Sequence, residues 1–426
     1  MAPPFKVLVL GYTWPEPAST AAGGHMMQLL RLFREQGWSV TFASPAQSGQ
    51  HRADLGALGI DEVPITLNCS SFDRFLDELQ PSLVLFDRFL IEEQFGWRVQ
   101  QQCPHALRVL ETSDLHSLRH ARQQRLKALL KQGALTPALF QRSPADLYHD
   151  MAGQDLTLRE VGAILRCDLS LMTSTFEMAL LQHGFSVPPG LLHHCPLMVE
   201  PLPDAPRTFT ERRGFISIGN FRHEPNWDAV LWLKQAIWPA IRDRLPGARL
   251  QVYGAYTPAK ARALHNPAQG FYINGWAEDA LHTIGGARVL LAPLRFGAGI
   301  KGKLLEAMQC GTPSVTTPIG AEGMGSPWPG AVSETAEAFV EDALALYQDE
   351  PRWRTAQAAG FSLLGGAFSY PRQASALLAR LHALRSNLEA ERQRNFTGAL
   401  LRHHLHQSTR YMAQWIEAKR AGPANL

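Results

Sequence analysis

At 426 residues, with 45% hydrophobic and 19% charged side chains, the chain is long enough for two domains that each bury a core. Its formal charge of +3 is small for that length, so the overall balance singles out neither nucleic acid nor a membrane as partner. No apolar run approaches the roughly 18 residues that a spanning helix needs, so a membrane contact would be peripheral, with no transmembrane segment.

The five cysteines, Cys69, Cys103, Cys167, Cys195 and Cys310, are scattered and include no C-x-x-C pair. That argues against a disulfide framework or a zinc knuckle and suits a reducing cytoplasm. The opening MAPPFKVLVLGY has too short an apolar run for a signal peptide and reads as a first strand, Lys6 to Leu10. From there short apolar runs alternate with longer amphipathic ones, the pattern of a doubly wound parallel sheet. A breaker-rich loop, Gly11 to Gly24, leads into a helix from His25 to Gln36. It sits at the carboxyl end of a strand, where open α/β sheets bind ligands.

Buried strands are expected at Ser39 to Ala43, Ser82 to Asp87 and Leu107 to Glu111. After the last of these, a Thr/Ser/Asp cluster that includes Asp114 is expected to cap a helix carrying His116, Arg119, His120 and Arg122. His116 and His120 stand one turn apart, as metal ligands can, yet no third ligand is evident, and no metal is expected. Asp114 and His116 are better read as reaching a ligand in a cleft. Residues 123–166 form a charged helical insertion with turns near Pro137 and Pro144, for which plain packing and acceptor binding compete. A strand at Asp168 to Thr173 and a helix containing Glu177 follow. The Pro- and charge-rich stretch Cys195 to Arg213 reads as an interdomain linker.

The second domain opens with a strand at Phe215 to Gly219. Asn226 then looks like the N-cap of a helix with Ala229, Val230, Leu233, Ile237 and Ile241 on one face. Phe271 to Trp276 is a strand and turn, and Asp279 opens a short helix. The segment from Ala287 to Gly323 is the most informative in the chain. Val289 to Ala292, bounded by Pro293, reads as a buried strand; Gly297, Ala298 and Gly299 allow close backbone approach; and a helix runs from Gly302 to Gln309, ended by Gly311 and Pro313. A small-residue loop opening a helix aims unpaired N–H groups and a positive dipole end at its guest, and Lys301 and Lys303 add full charges. The guest this suits is a phosphate or diphosphate. Glu306, one turn on, would accept hydrogen bonds from a hydroxyl such as a ribose diol.

A strand at Ser314 to Thr317 and a turn at Pro318 to Gly325, with Glu322, complete this block. Surface helices span 334–364, and a stripe of Ala374, Leu377, Leu378, Leu381 and Leu384 marks a further helix. The closing extension, NFTGALLRHHLHQSTRYMAQWIEAKRAG, carries His403, His404 and His406 on what reads as an exposed helix face. Its basic and aromatic mix suits contact with RNA or lipid headgroups.

The string LLEAMQCGTPSVTTPIGAEG resembles the C-terminal signature of glycosyltransferase family 4 and its relatives, retaining enzymes of the GT-B fold. NFRHEPNWDAVLWLKQAIWPAIRDRLPGARLQVYG and the order of residues 168–177 resemble further blocks of the same relatives. One departure is plain: of the usual pair of glutamates, Glu306 matches the second and Ala298 occupies the place of the first. The resemblance implies two Rossmann-like doubly wound domains facing each other across a cleft, residues 1–200 on the acceptor side and 201–365 binding a nucleotide sugar. Helices in 366–426 would cross back and form a C-terminal helical extension.

It further implies a cytoplasmic transferase of glycan biosynthesis, at most peripheral at the inner membrane face. Such an enzyme passes a sugar from a UDP- or GDP-sugar to an acceptor that the sequence does not identify, be it glycan, lipid-linked, protein or RNA. No metal and no cofactor beyond the donor would be required. On that reading Lys301, Lys303, Glu306 and His116 serve catalysis. Gly23, Gly24, Arg222, Trp276, Gly297, Gly299 and Ile300, with Glu306, contact the donor, and Asp114 with His116 contacts the acceptor. For Trp276, stacking on the base and core packing stand level. Ala298 keeps open a catalytically impaired nucleotide-sugar-binding scaffold, and the fold a nucleotide-sugar epimerase.

Overall fold

The computed structural model describes residues 5–133, 137–200 and 206–421. The middle of the expected linker, with its boundary at 200/201, and the side chain of His406 lie outside the described residues. Apolar runs too short for buried helices pair as two parallel sheets. The front sheet comprises β1 (Lys6–Leu10), β2 (Ser39–Ser44), β3 (Asp61–Pro64), β4 (Leu83–Asp87), β5 (Leu107–Glu111), β6 (Leu169–Met172) and β7 (Leu192–His194), in the order β3-β2-β1-β4-β5-β6-β7. The rear sheet comprises β8 (Phe215–Ile218), β9 (Leu250–Tyr253), β10 (Phe271–Gly275), β11 (Val289–Ala292), β12 (Ser314–Thr316) and β13 (Gly330–Val332), in the order β10-β9-β8-β11-β12-β13. The expected pair of doubly wound α/β domains is thus present. The order reverses between β1 and β4 and between β8 and β11, and a crevice opens at the strand carboxyl ends of such switch points.

Strands β1, β4, β8 and β11 are nearly free of solvent contact, as parallel strands covered by helices on both faces must be. The sequence reading assigns no strand to the central β9, whose LQVY lies within a block read for its helix, and it misses the edge strands β3, β7 and β13. These three edge strands have three or four residues, with one face or none in a core, so they carry little apolar signal. The helix Tyr370–Ser386 packs Tyr370, Ala374, Leu377, Leu381 and Leu384 into the front domain's core beside Val7, Val9 and Leu29. The terminal helix Phe396–Ala421 lies on the front-domain helices Phe89–Gln102 and Asp155–Arg166. Among the described residues, no helix is long and apolar enough to cross a membrane.

Three local expectations need correction. The first helix begins at Ala21 rather than His25, because Thr20 Oγ1 accepts a 3.0 Å hydrogen bond from the Gly23 N–H and nucleates the turn early. Gly23 and Gly24 therefore belong to the first helical turn and not to the loop. Asp114 does not cap the helix His116–Lys131; the N–H groups of His116 and Ser117 donate to the two oxygens of Glu160 at 2.9 Å each. Asn226 is likewise not a cap, since the helix Glu224–Trp232 starts after His223 and places Asn226 inside its first turn. At the helix His116–Lys131 a residue from elsewhere in the fold, Glu160, takes the role of the local candidate, whereas the helix Glu224–Trp232 simply starts three residues earlier than the sequence suggests, after His223.

Candidate functional site

A cleft of about 720 Å³ opens between the carboxyl ends of the two sheets. Its rear wall is built by β11, the loop that follows it and the helix Gly302–Gln309. No side chain caps this helix and its first turn holds no acid, so its leading N–H groups keep their donor capacity and their positive dipole end. Lys303 and Glu306 project from it into the cleft, with Lys301 at its foot.

Lys303 Nζ donates to Asn226 Oδ1 at 2.7 Å. Burial brings its ammonium down to about 8, with Glu306 opposing. Burial also raises the Glu306 carboxyl, and Lys303 holds that rise back. Lys301 is only 8% exposed and donates to the Gly299 carbonyl. Burial brings it down to about 8 as well, with Glu322 opposing the shift and Arg122 adding to it. Gly219 makes room for this arrangement, because a Cβ there would meet Asn226 Nδ2 at 2.6 Å and Lys303 Nζ at 2.7 Å.

The front wall comes from the ends of β4 and β5. Asp114 pairs with Arg119 and lies 3.4 Å from His116 Nε2. Burial favours its neutral form, yet Arg119 and His116 together hold the carboxyl well below its usual range. Burial, helped by Arg119 and Arg88 against the pull of Asp114, brings His116 down to about 4, so near neutrality it is an uncharged imidazole. Its ring meets Phe89 edge-on at 5.7 Å. Asp87 accepts the Tyr12 N–H at 2.9 Å, and burial lifts its carboxyl to about 6, with Arg88 opposing and Glu111 adding. Beneath these groups Glu111 accepts from Ser113 N–H and Oγ at 2.8 Å each and lies 3.3 Å from His25 Nδ1, which fixes the turn carrying Asp114.

Of the residues singled out in sequence, Gly23, Asp114, His116, Arg222, Trp276, Gly297, Ile300, Lys301, Lys303 and Glu306 line this one cleft. Gly24 does not; its N–H is spent on Thr20 O within the helix. Gly299 does not either, because its N–H donates to the buried Glu177 at 2.6 Å and its carbonyl accepts from Lys301. Arg222 lies over the Tyr256 ring at 3.5 Å, and Tyr256 Oη donates to Glu16 on the opposite domain at 2.9 Å. Trp276 is half-buried and stacks on His51 of the front domain, with ring centroids 4.1 Å apart and 9° between planes.

Asp87, Arg88, Asn220 and Tyr256 also line the cleft and escaped the sequence reading, and Arg119, read there only as part of its helix, joins them. Asp87 and Arg88 had one legible signal, their place at the end of a buried strand next to the switch point, and Arg88 adopts a left-handed φ of 73° there. Among the described residues, no group of three His, Cys, Asp or Glu side chains is disposed to hold a metal ion. His120 instead contacts Gln124 at 3.4 Å.

Residues 212–349, which contain the whole lysine-bearing rear wall, match the family model "Glycosyl transferases group 1". Among solved structures, the chain is similar to sucrose-phosphate synthase from Thermosynechococcus elongatus, at 15% identity over 91% of this chain and 99% of that one, with a TM-score of 0.62. It is similar to HepE from Anabaena, solved with UDP and glucose, at 10% identity over 89% of this chain and all of that one, with a TM-score of 0.62. A third is WaaG, a glycosyltransferase involved in lipopolysaccharide biosynthesis, at 13% identity over 87% and 99% and a TM-score of 0.56. A search of curated proteins by sequence returns no match. With a group 1 domain at residues 212–349 and the GT-B arrangement around it, the chain is a glycosyltransferase of the GT-B fold.

Proposed function

We propose that the protein is a family 4-like, retaining enzyme that moves a sugar from a UDP- or GDP-sugar to an acceptor hydroxyl without a metal. The observation that carries this reading is the rear wall, where Lys301, Lys303 and the uncapped end of the helix Gly302–Gln309 converge on one cleft. As the bond from sugar to diphosphate breaks, negative charge gathers on the leaving group. Ammonium groups and N–H dipoles already fixed in place stabilise that charge without reorganising. Glu306, whose neutral form burial favours, is placed to hydrogen-bond a hydroxyl of the donor. Across the cleft, Asp114 and His116 face the acceptor, and retention follows if the departing phosphate takes the acceptor proton on the same face of the sugar.

The scaffold and epimerase alternatives are less well supported. Ala298, the reason for the scaffold reading, borders the cleft and packs its methyl against the front domain's core, and Lys301, Lys303 and the open helix end are in place without a carboxylate at that position. A cytoplasmic protein touching the inner membrane face fits the terminal helix, whose Phe396, Leu400, Tyr411, Met412 and Trp415 are exposed, with Lys419 over the Trp415 ring. Purified protein incubated with a panel of UDP- and GDP-sugars tests the enzyme reading. Slow release of UDP or GDP is expected, whereas tight binding with no release under any acceptor condition would leave the scaffold, and interconversion of the sugar would indicate the epimerase.

A further inference from the structure

The loop Gly297–Gly299 belongs to the rear domain by sequence, yet its backbone is held from the front domain. Arg122 donates to the Gly297 carbonyl at 2.9 Å and pairs with Glu322 through both terminal nitrogens, at 2.9 and 2.6 Å. Two residues along the loop, Glu177 Oε1 accepts the Gly299 N–H at 2.6 Å. Between these anchors the Ala298 methyl is seated in the front domain's apolar core, only 8% exposed. Gly299 has φ +62°, and a Cβ there would meet Asp114 Cβ at 2.8 Å and the Ser113 carbonyl at 3.0 Å, so only glycine allows this approach. Gly323 repeats the device, with Ser174 Oγ 2.3 Å from where its Cβ would stand.

We propose that Arg122 and Glu177 are positioning residues of the front domain that set the conformation of the rear domain's Gly297–Gly299 loop, and through it the Lys301 ammonium, when the cleft is closed. The chain of contacts is continuous. Glu177 holds the Gly299 N–H, and the carbonyl of that same residue receives Lys301, so a displaced Gly299 takes the ammonium with it. Glu177 is fully buried, and its Oε2 has no hydrogen-bond partner among the described residues. Burial, with Asp114 adding, lifts its carboxyl to about 8, so the neutral acid keeps the acceptor role without placing a second bare charge against Asp114. The donor loop is therefore completed by the opposite domain, and a separated pair of domains lacks it.

The inference rests on the donor reading only for its consequence, so its test has two arms. In the full chain without nucleotide, hydrogen–deuterium exchange of peptides spanning 297–303 is compared for wild type, Glu177→Met, Glu177→Gln and Arg122→Met. Methionine keeps the bulk and removes the acceptor; glutamine keeps an acceptor. Exchange in the loop is expected to rise roughly tenfold in Glu177→Met and Arg122→Met and less than about threefold in Glu177→Gln. Unchanged loop exchange in both methionine variants, or a Glu177→Gln as disturbed as Glu177→Met, would overturn the proposal. If Glu177→Met does not fold, Arg122→Met decides alone.

In the second arm, titration with UDP and with GDP is expected to show about tenfold weaker binding for both methionine variants and recovery in Glu177→Gln. Failure of wild type to bind either nucleotide would count against the donor reading and leave the exchange result to judge the loop.

Discussion

The Lys303 ammonium and the Asn226 side-chain carbonyl are joined by a 2.7 Å hydrogen bond, and Asn226 Nδ2 in turn donates to the Asn220 carbonyl at 2.9 Å. The ammonium proposed to face the leaving group is thus held by a residue of another helix. Lys303→Met should lower kcat/KM for the donor by about 100- to 1000-fold, the usual effect of losing one group that stabilises developing negative charge. Asn226→Ala, which frees the ammonium without removing it, should cost about tenfold. Steady-state kinetics with the best donor of the panel measures both, and a Lys303→Met within threefold of wild type would remove Lys303 from the mechanism.

The pH dependence has a definite sign. Lys301 and Lys303 are both brought down to about 8 by burial, so their cationic forms prevail below that pH and are lost as it rises through 8. Donor kcat/KM should therefore be flat between about pH 6 and 7 and fall on the alkaline side. Lys303→Arg, whose guanidinium stays charged, should make the alkaline fall shallower, one ionisation in place of two, with Lys301 still lost through about 8. A profile that stays flat to pH 9.5 would contradict the assignment.

Gly219 offers a steric test. A methyl group placed there would stand 2.6 Å from Asn226 Nδ2 and 2.7 Å from Lys303 Nζ. Gly219→Ala should weaken UDP or GDP binding at least roughly tenfold, the effect of displacing one charge-assisted contact, while leaving the circular dichroism spectrum unchanged. Calorimetric titration gives the answer, and undiminished affinity would show that the pair can shift without loss.

Trp276 stacks on His51 across the mouth of the cleft. If the nucleotide base lies against this ring, Trp276→Ala should weaken nucleotide binding by about 1–3 kcal/mol, as removing one base–aromatic stack does. Nucleotide should also quench tryptophan fluorescence in wild type and not in the variant. Equal affinity for both proteins would assign Trp276 to packing against His51 alone.

The exposed side chains of the terminal helix predict a surface behaviour. Wild-type protein should co-sediment with vesicles rich in anionic lipid, and Tyr411→Ser with Trp415→Ser should abolish most of that binding without changing donor turnover. Absence of the wild type from the vesicle pellet at low salt would refute the membrane contact.

Much of the working core was legible in one dimension. The strand Val289–Ala292, the Gly-rich loop and the helix opening at Gly302 follow from local rules, because burial of a parallel strand, backbone freedom at glycine and helix termination each depend on a few adjacent residues. Those rules identified Lys301, Lys303 and Glu306 as neighbours of one helix end. They could not say who would satisfy a given polar group when candidates came from distant parts of the chain. Glu160 took the helix start that Asp114 was expected to cap, Asn226 lies inside the first turn of its helix and accepts from Lys303, and Glu177 claimed the Gly299 N–H expected to face the donor. Hydrogen-bond partners, burial and the resulting protonation of His116 and Asp87 are set by distances between segments that sequence separation does not encode, so only the folded arrangement of the two domains decides them.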